Sequence, residues 1–141
     1  MVKRELLPLP RPISLKNESI ETIQRFWPDG PMSPVVHDTV KGSVAHVQPP
    51  AASVRRSGER PVPGWVVLPR FASGHSTLLE PLSKAAAFMQ LADNAFNYSV
   101  HGRGGFETLA ELITASACYR FTYGGSLQDA VRAFDQLTER R

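Results

Sequence analysis

The stretch Ser76–Phe106, STLLEPLSKAAAFMQLADNAFNYSVHGRGGF, decides the fold. Leu78, Leu79 and Leu82 make a short buried strand or strand end, and Ser83 stands where a helix N-cap belongs. Beyond it Phe88, Leu91, Ala92, Ala95 and Phe96 recur at the spacing of one helix face. A Phe96-Asn97-Tyr98 corner follows. Gly102-Arg103-Gly104-Gly105 then opens a second helix, with Phe106, Leu109, Ala110 and Ile113 facing inward. A strand feeding helices in this way predicts an α/β protein.

Downstream, Cys118–Tyr123 alternates and predicts a strand. Gly124-Gly125 turns the chain, and Ser126-x-x-Asp129 starts a last helix in the manner of a capping box. That helix is expected to bury Leu127, Ala130, Val131, Phe134 and Leu137 and to expose Asp129, Arg132, Asp135 and Glu139. Upstream, Trp65–Pro69 is a continuous apolar run, as in a strand buried on both faces and ended by Arg70. The segment at about 48–64 is rich in Pro, Gly and Arg and has no periodicity, so it reads as a loop within one domain, with Arg55, Arg56 and Arg60 as solvated charges. Ser43–Val47 predicts a strand, with His46 as a hydrogen-bonded strand histidine, and His37–Gly42 a polar turn before it. Asn17 is placed to cap a helix with the stripe Ile20, Ile23, Phe26 and Trp27, stopped by Pro28 and Gly30. Glu5–Leu9 reads as a short strand interrupted by Pro8.

With 141 residues, the chain is one domain or part of one. Its 42% apolar and 21% charged residues exclude wholesale disorder. The formal charge is +3, and the excess is local: residues 1–75 hold ten Lys/Arg and six Asp/Glu, residues 76–141 six and seven. That suits an anionic partner. It falls short of a nucleic-acid binder, in which basic and aromatic residues interleave along one element. The single cysteine, Cys118, excludes an intrachain disulfide and reads as a buried thiol. The charged start MVKRELLPLPRP lacks the apolar core of a signal peptide, and no apolar run reaches membrane-spanning length, so a cytoplasmic location is expected.

Gly102–Gly105 before a helix is the strongest local cue for a phosphate site, since glycines admit the backbone and a helix N-terminus offers donors. A flexible turn between helices accounts for it equally. Arg11, Lys16 and Asn17 lie between a strand and a helix N-terminus, where an anion is favoured, and in residue terms also read as a solvated turn and a cap. Lys41-Gly42 could present an ammonium beside a glycine. The chain holds no GxxxxGK[ST], no GxGxxG after a strand and no GxSxG. The four histidines show no metal-ligand spacing, and Asp93, Glu107 and Glu111 fall on helix surfaces rather than forming a carboxylate pair.

Taken together, Leu6–Asn17 (LLPLPRPISLKN), Asp38–Gly42, Trp65–Phe71, Ala95–Tyr98 and Gly105-Phe106 carry a resemblance over nearly the whole chain, in order and with matching spacing. The chain resembles the C-terminal half of HprK-related kinase A, a relative of HPr serine kinase/phosphorylase encoded with exosortase and PEP-CTERM export systems. The resemblance implies part of a P-loop fold similar to phosphoenolpyruvate carboxykinase: a mixed sheet with flanking helices, residues 1–141 forming one partial kinase-like domain. It implies phosphoryl transfer from ATP, with Mg²⁺, to a hydroxyl on an acceptor protein. In such proteins the P-loop and the acidic segment after it lie before the point where this chain begins. The portion present is therefore expected to be inactive alone, as a truncation, split gene or degenerate copy would be. By resemblance, Arg11, Lys16 and Asn17 face the phosphates or the acceptor, and Lys41, Arg70 and Arg103, beside Gly104, are further phosphate or substrate contacts. A missing P-loop strand would leave sheet edge and apolar helix faces uncovered, so self-association or pairing with the N-terminal half is expected. The alternative is a non-catalytic module that binds an acceptor protein or phosphorylated ligand through a partner.

Overall fold

Alternating prolines at 8, 10 and 12 remove every second backbone donor, so the chain enters its first strand only at Ile13. The computed structural model describes residues 5–139. They divide into two compact units, one spanning Leu7–Arg60 and the other built from Pro61 onward with the residues up to Leu6. The charged start Met1–Arg4 lies outside the described residues.

The first unit contains β1 (Ile13–Lys16), α1 (Glu18–Phe26), β2 (Val36–Thr39), β3 (Gly42–Val47) and α2 (Ala51–Arg55). Its strands form an antiparallel sheet ordered β1-β3-β2. Pairing of Leu15 with Ala45 and of Ile13 with Val47 puts alternate β3 residues on a core shared with Ile20, Ile23, Met32 and Val35. Several expectations change here. Glu5–Leu9 is not a strand, and Leu7 and Leu9 are exposed. His37–Thr39 belongs to β2, because Thr39 closes a tighter hairpin: its Oγ1 accepts from Lys41 N at 3.1 Å and donates to Gly42 O at 2.6 Å. His46 turns its imidazole outward, and it is its backbone that is held, by Ser33. Pro50 starts the short α2 inside the expected loop, its carbonyl accepting from Ser53 and Val54. Phe26 and Trp27 stay partly exposed, at 37% and 40%, where α1 ends.

The second unit contains β4 (Trp65–Phe71), β5 (Leu78–Pro81), α3 (Lys84–Asn94), α4 (Tyr98–Ala115), β6 (Ala117–Tyr123) and α5 (Leu127–Glu139). Its mixed sheet is ordered β4-β6-β5, with β4 parallel and β5 antiparallel to the central β6. Cys118 faces α3 and α4, in a core with Val66, Ala87 and Ile113. Phe121, three residues on, faces the other way and meets Phe134 of α5 at 4.8 Å. Helices thus cover both faces of the sheet, an α/β arrangement with flanking helices.

Among the described residues β4 and β5 are edge strands. Only Val66 of β4 is buried, and β4 continues through Arg70 to Phe71, since the ladder with β6 runs that far. Leu78 of β5 is exposed. Ser83 does cap α3, its Oγ accepting from Ala86 N at 3.3 Å, but the helix ends at Asn94. Ala95 and Phe96 consequently leave the expected stripe, and Phe96 is fully exposed. Ser126 caps α5 through Asp129 N at 3.2 Å. The helix buries Ala130 and Leu137, whereas Val131 and Phe134 keep substantial exposure.

Lys84 ties the two helices of the other face together. Its Nζ donates to Ile113 O at 2.8 Å and to Ser116 O, where α4 ends and its carbonyls have no helical partner. Lys84→Met keeps the stem but loses the donors, and is expected to destabilise the unit by about 1–2 kcal/mol. Faster amide exchange in the last turn of α4 checks this.

Candidate functional site

The residues singled out from sequence divide between the two units. Arg11, Lys16, Asn17 and Lys41 lie in the first, and Arg70, Arg103 and Gly104 in the second.

In the first unit, Asn17 has a structural task. It stands at the N-cap position of α1 with φ 49°, yet makes no side-chain cap bond. Its Oδ1 instead accepts from Ser43 N at 3.1 Å, fastening the end of β1 to β3. Gly42 is obligatory beside it, since a Cβ there would lie 2.3 Å from that oxygen and φ is +79°. Ser19 Oγ accepts from Lys16 N at 2.8 Å and donates to Lys16 O at 2.7 Å, tying the start of α1 back to the end of β1. The N-terminus of α1 opens on a depression of about 350 Å³ lined by Asn17, Glu18, Glu21, His37 and Ser43 among others. Glu18 and Glu21 already complement the helix dipole there, which disfavours a further anion. Arg11, Lys16 and Lys41 are exposed and do not line it. His37 Nδ1 lies 3.0 Å from Ser43 Oγ, a base-and-hydroxyl pair across β2 and β3. Among the described residues no carboxylate is hydrogen-bonded to that imidazole to orient it as a general base. In the proline-rich segment, Arg56 is fixed rather than free: it makes two 2.8 Å bonds to the Glu59 carboxylate. Those hydrogen bonds hold the Glu59 carboxyl below its usual range.

In the second unit, the break before the expected glycine turn sits at Gly102, with φ 48° and ψ −125°. Tyr98–His101 already form a helical turn, and Gly104 and Gly105 fall inside the helix rather than ahead of it. Gly105 lets the preceding turn pack closely, for a Cβ would approach His101 Cβ to 3.0 Å. An open concavity of about 590 Å³ lies here, lined by Ala95, Tyr98, His101, Gly104, Leu109 and Leu112 among others. It is largely apolar. Of the expected phosphate contacts only Gly104 lines it, and Arg103 points away to a 2.7 Å ion pair with Glu107. Arg70 is exposed near the C-terminal end of β4, on the sheet face of Val66 and Leu68.

Sequence reasoning missed a polar groove of about 420 Å³ lined by His75, Ser76, Thr77, Gly125, Asp129, Arg132, Ala133 and Gln136. It adjoins the C-terminal ends of the parallel strands β4 and β6, where α/β sheets commonly place ligands. The available signal was the polar run Ser73–Thr77 after one strand and Gly-Gly-Ser after the other.

Among the described residues no group of three or more His, Cys, Asp or Glu side chains could hold a metal ion. Among the described residues no helix is long and apolar enough to cross a membrane. Compared with known proteins, the chain matches no family model, no curated protein and no solved structure at a significant level.

Proposed function

We propose that this chain is the C-terminal, acceptor-facing portion of a cytoplasmic ATP-dependent phosphotransferase of the HprK-related kinase A kind, acting on a hydroxyl of an acceptor protein. The sequence resemblance supplies the chemistry. The observation that carries the reading in structural terms is β4. An apolar strand rich in β-branched and aromatic residues stands at the edge of a mixed sheet, parallel to its neighbour and with helices on both faces. Parallel strands of such composition are normally interior, so further strands beside β4 would complete the sheet. On this reading the nucleotide and metal are held upstream, and Arg70, near the C-terminal end of β4, is the contact of this chain best placed to stabilise charge on the transferred group.

The test is phosphoryl transfer by a polypeptide extended upstream through a P-loop in the same frame. Arg70→Ala in that protein is expected to lower kcat by about a hundredfold with its fold intact. Absence of transfer from the longer protein, with ATP and Mg²⁺ and with its own cell extract as acceptor, overturns the reading. A non-catalytic interaction module is the second reading, favoured by Met89, Phe96, Val100 and Phe106, apolar side chains standing exposed on α3, α4 and the turn between them.

A further inference from the structure

We propose that the polar groove at the C-terminal ends of β4 and β6 binds a phosphate group, free or carried as a monoester on a small molecule. It uses none of the residues assigned to phosphotransfer, so it stands or falls separately.

The groove is built on two loops held together by their backbones. Ala72 N donates to Tyr123 O at 2.8 Å, and Gly74 N to Gly124 O at 3.3 Å. His75 N then turns back onto Ala72 O at 3.0 Å. Gly124 permits this closeness, since any Cβ there would collide with the Ala72 carbonyl. The run His75-Ser76-Thr77 is thereby fixed beside Gly125 and the first turns of α5.

The lining is weighted toward donors. The hydroxyls of Ser76 and Thr77, the amide of Gln136 and the guanidinium of Arg132 all border one space, beside the imidazole of His75, whose Nδ1 donates to Ser73 O at 3.3 Å. Among the described residues Asp129 is its single carboxylate, and it lies 3.4 Å from Arg132 Nη1, one turn along the helix. That pair is well exposed, with 72% and 51% of the two side chains accessible, so Arg132 can turn its remaining donors to an incoming oxyanion. A tetrahedral oxyanion suits such a set, because its oxygens accept from several directions at once. Among the described residues no Phe, Tyr or Trp lines the space. The chemistry the donors select is that of a phosphate group.

The test titrates the full ¹⁵N-labelled chain with inorganic phosphate, glycerol 1-phosphate and glycerol at constant ionic strength. Saturable shifts confined to His75–Thr77, Gly125 and the start of α5 are expected with both phosphates and not with glycerol. Equal affinity for the two identifies the phosphate group as the whole ligand; tighter binding of the ester shows that the groove also holds the carrier. Arg132→Ala, at an exposed position, is expected to keep the fold and weaken binding at least about tenfold. Thr77→Val weakens it less, and Asp129→Asn strengthens it. Shifts that never saturate and spread over arginines elsewhere, or an Arg132→Ala variant that binds like the parent, overturn the proposal.

Discussion

Gly124→Ala is expected to unfold the second unit or bring it close to unfolding. The added Cβ would stand 1.7 Å from Ala72 O, 2.6 Å from Ala72 C and 3.0 Å from His75 N. All three are backbone atoms, so no rotamer change relieves the overlap. Relief requires the loop after β4 to move away from the loop after β6, which breaks the Ala72–Tyr123 and Gly74–Gly124 hydrogen bonds. Overpacking of this kind costs about 1–3 kcal/mol, and the two bonds add about 1 kcal/mol each, so a loss of roughly 3–5 kcal/mol is expected. Stabilities of small domains are of that order. Gly125→Ala is the internal control, since nothing lies within 4 Å of a Cβ there. Urea titrations should show a greatly lowered midpoint for the first variant and little change for the second. Equal midpoints contradict the close approach of the two loops.

Phe121→Ala should have an effect of similar size by a different route. Phe121 is 3% exposed on the central strand, with its ring 4.8 Å from Phe134 and 5.3 Å from Tyr123. Truncation leaves a cavity that the strand, paired on both sides, cannot close, and costs about 3–5 kcal/mol. Phe121→Leu fills most of the space and should cost less than about 1.5 kcal/mol. Phe96→Ala, at a fully exposed ring, should change stability by no more than about 0.5 kcal/mol. Near-ultraviolet circular dichroism during denaturation separates these outcomes, and a cost at Phe96 equal to that at Phe121 would contradict the burial of the one ring and the exposure of the other.

The features legible in the sequence were those decided by neighbours along the chain. Ser83 and Ser126 announced helix starts because a cap is a bond spanning three residues. Cys118–Tyr123 announced a strand by its alternation. Burial was harder to foresee, because it depends on which strand becomes central. Trp65–Pro69 looks interior by composition, yet the order β4-β6-β5 leaves it at an edge. Asn17 looks like a cap, but a partner 26 residues away in Ser43 claims its side chain. The glycines at 104 and 105 drew attention that belonged to Gly102, whose backbone angles alone mark the break. The polar groove was illegible for a related reason: His75 and Arg132 are far apart in sequence, and only the parallel pairing of β4 with β6 brings their loops together.

Calorimetric titration of Mg²⁺·ATP tests the central proposal most directly, on the 141-residue chain beside the polypeptide extended upstream through a P-loop in the same frame. The proposed function predicts saturable binding by the longer protein and none by the shorter. Micromolar binding by the short chain alone would contradict it, since the nucleotide site would then have to be built from residues now placed on the acceptor side.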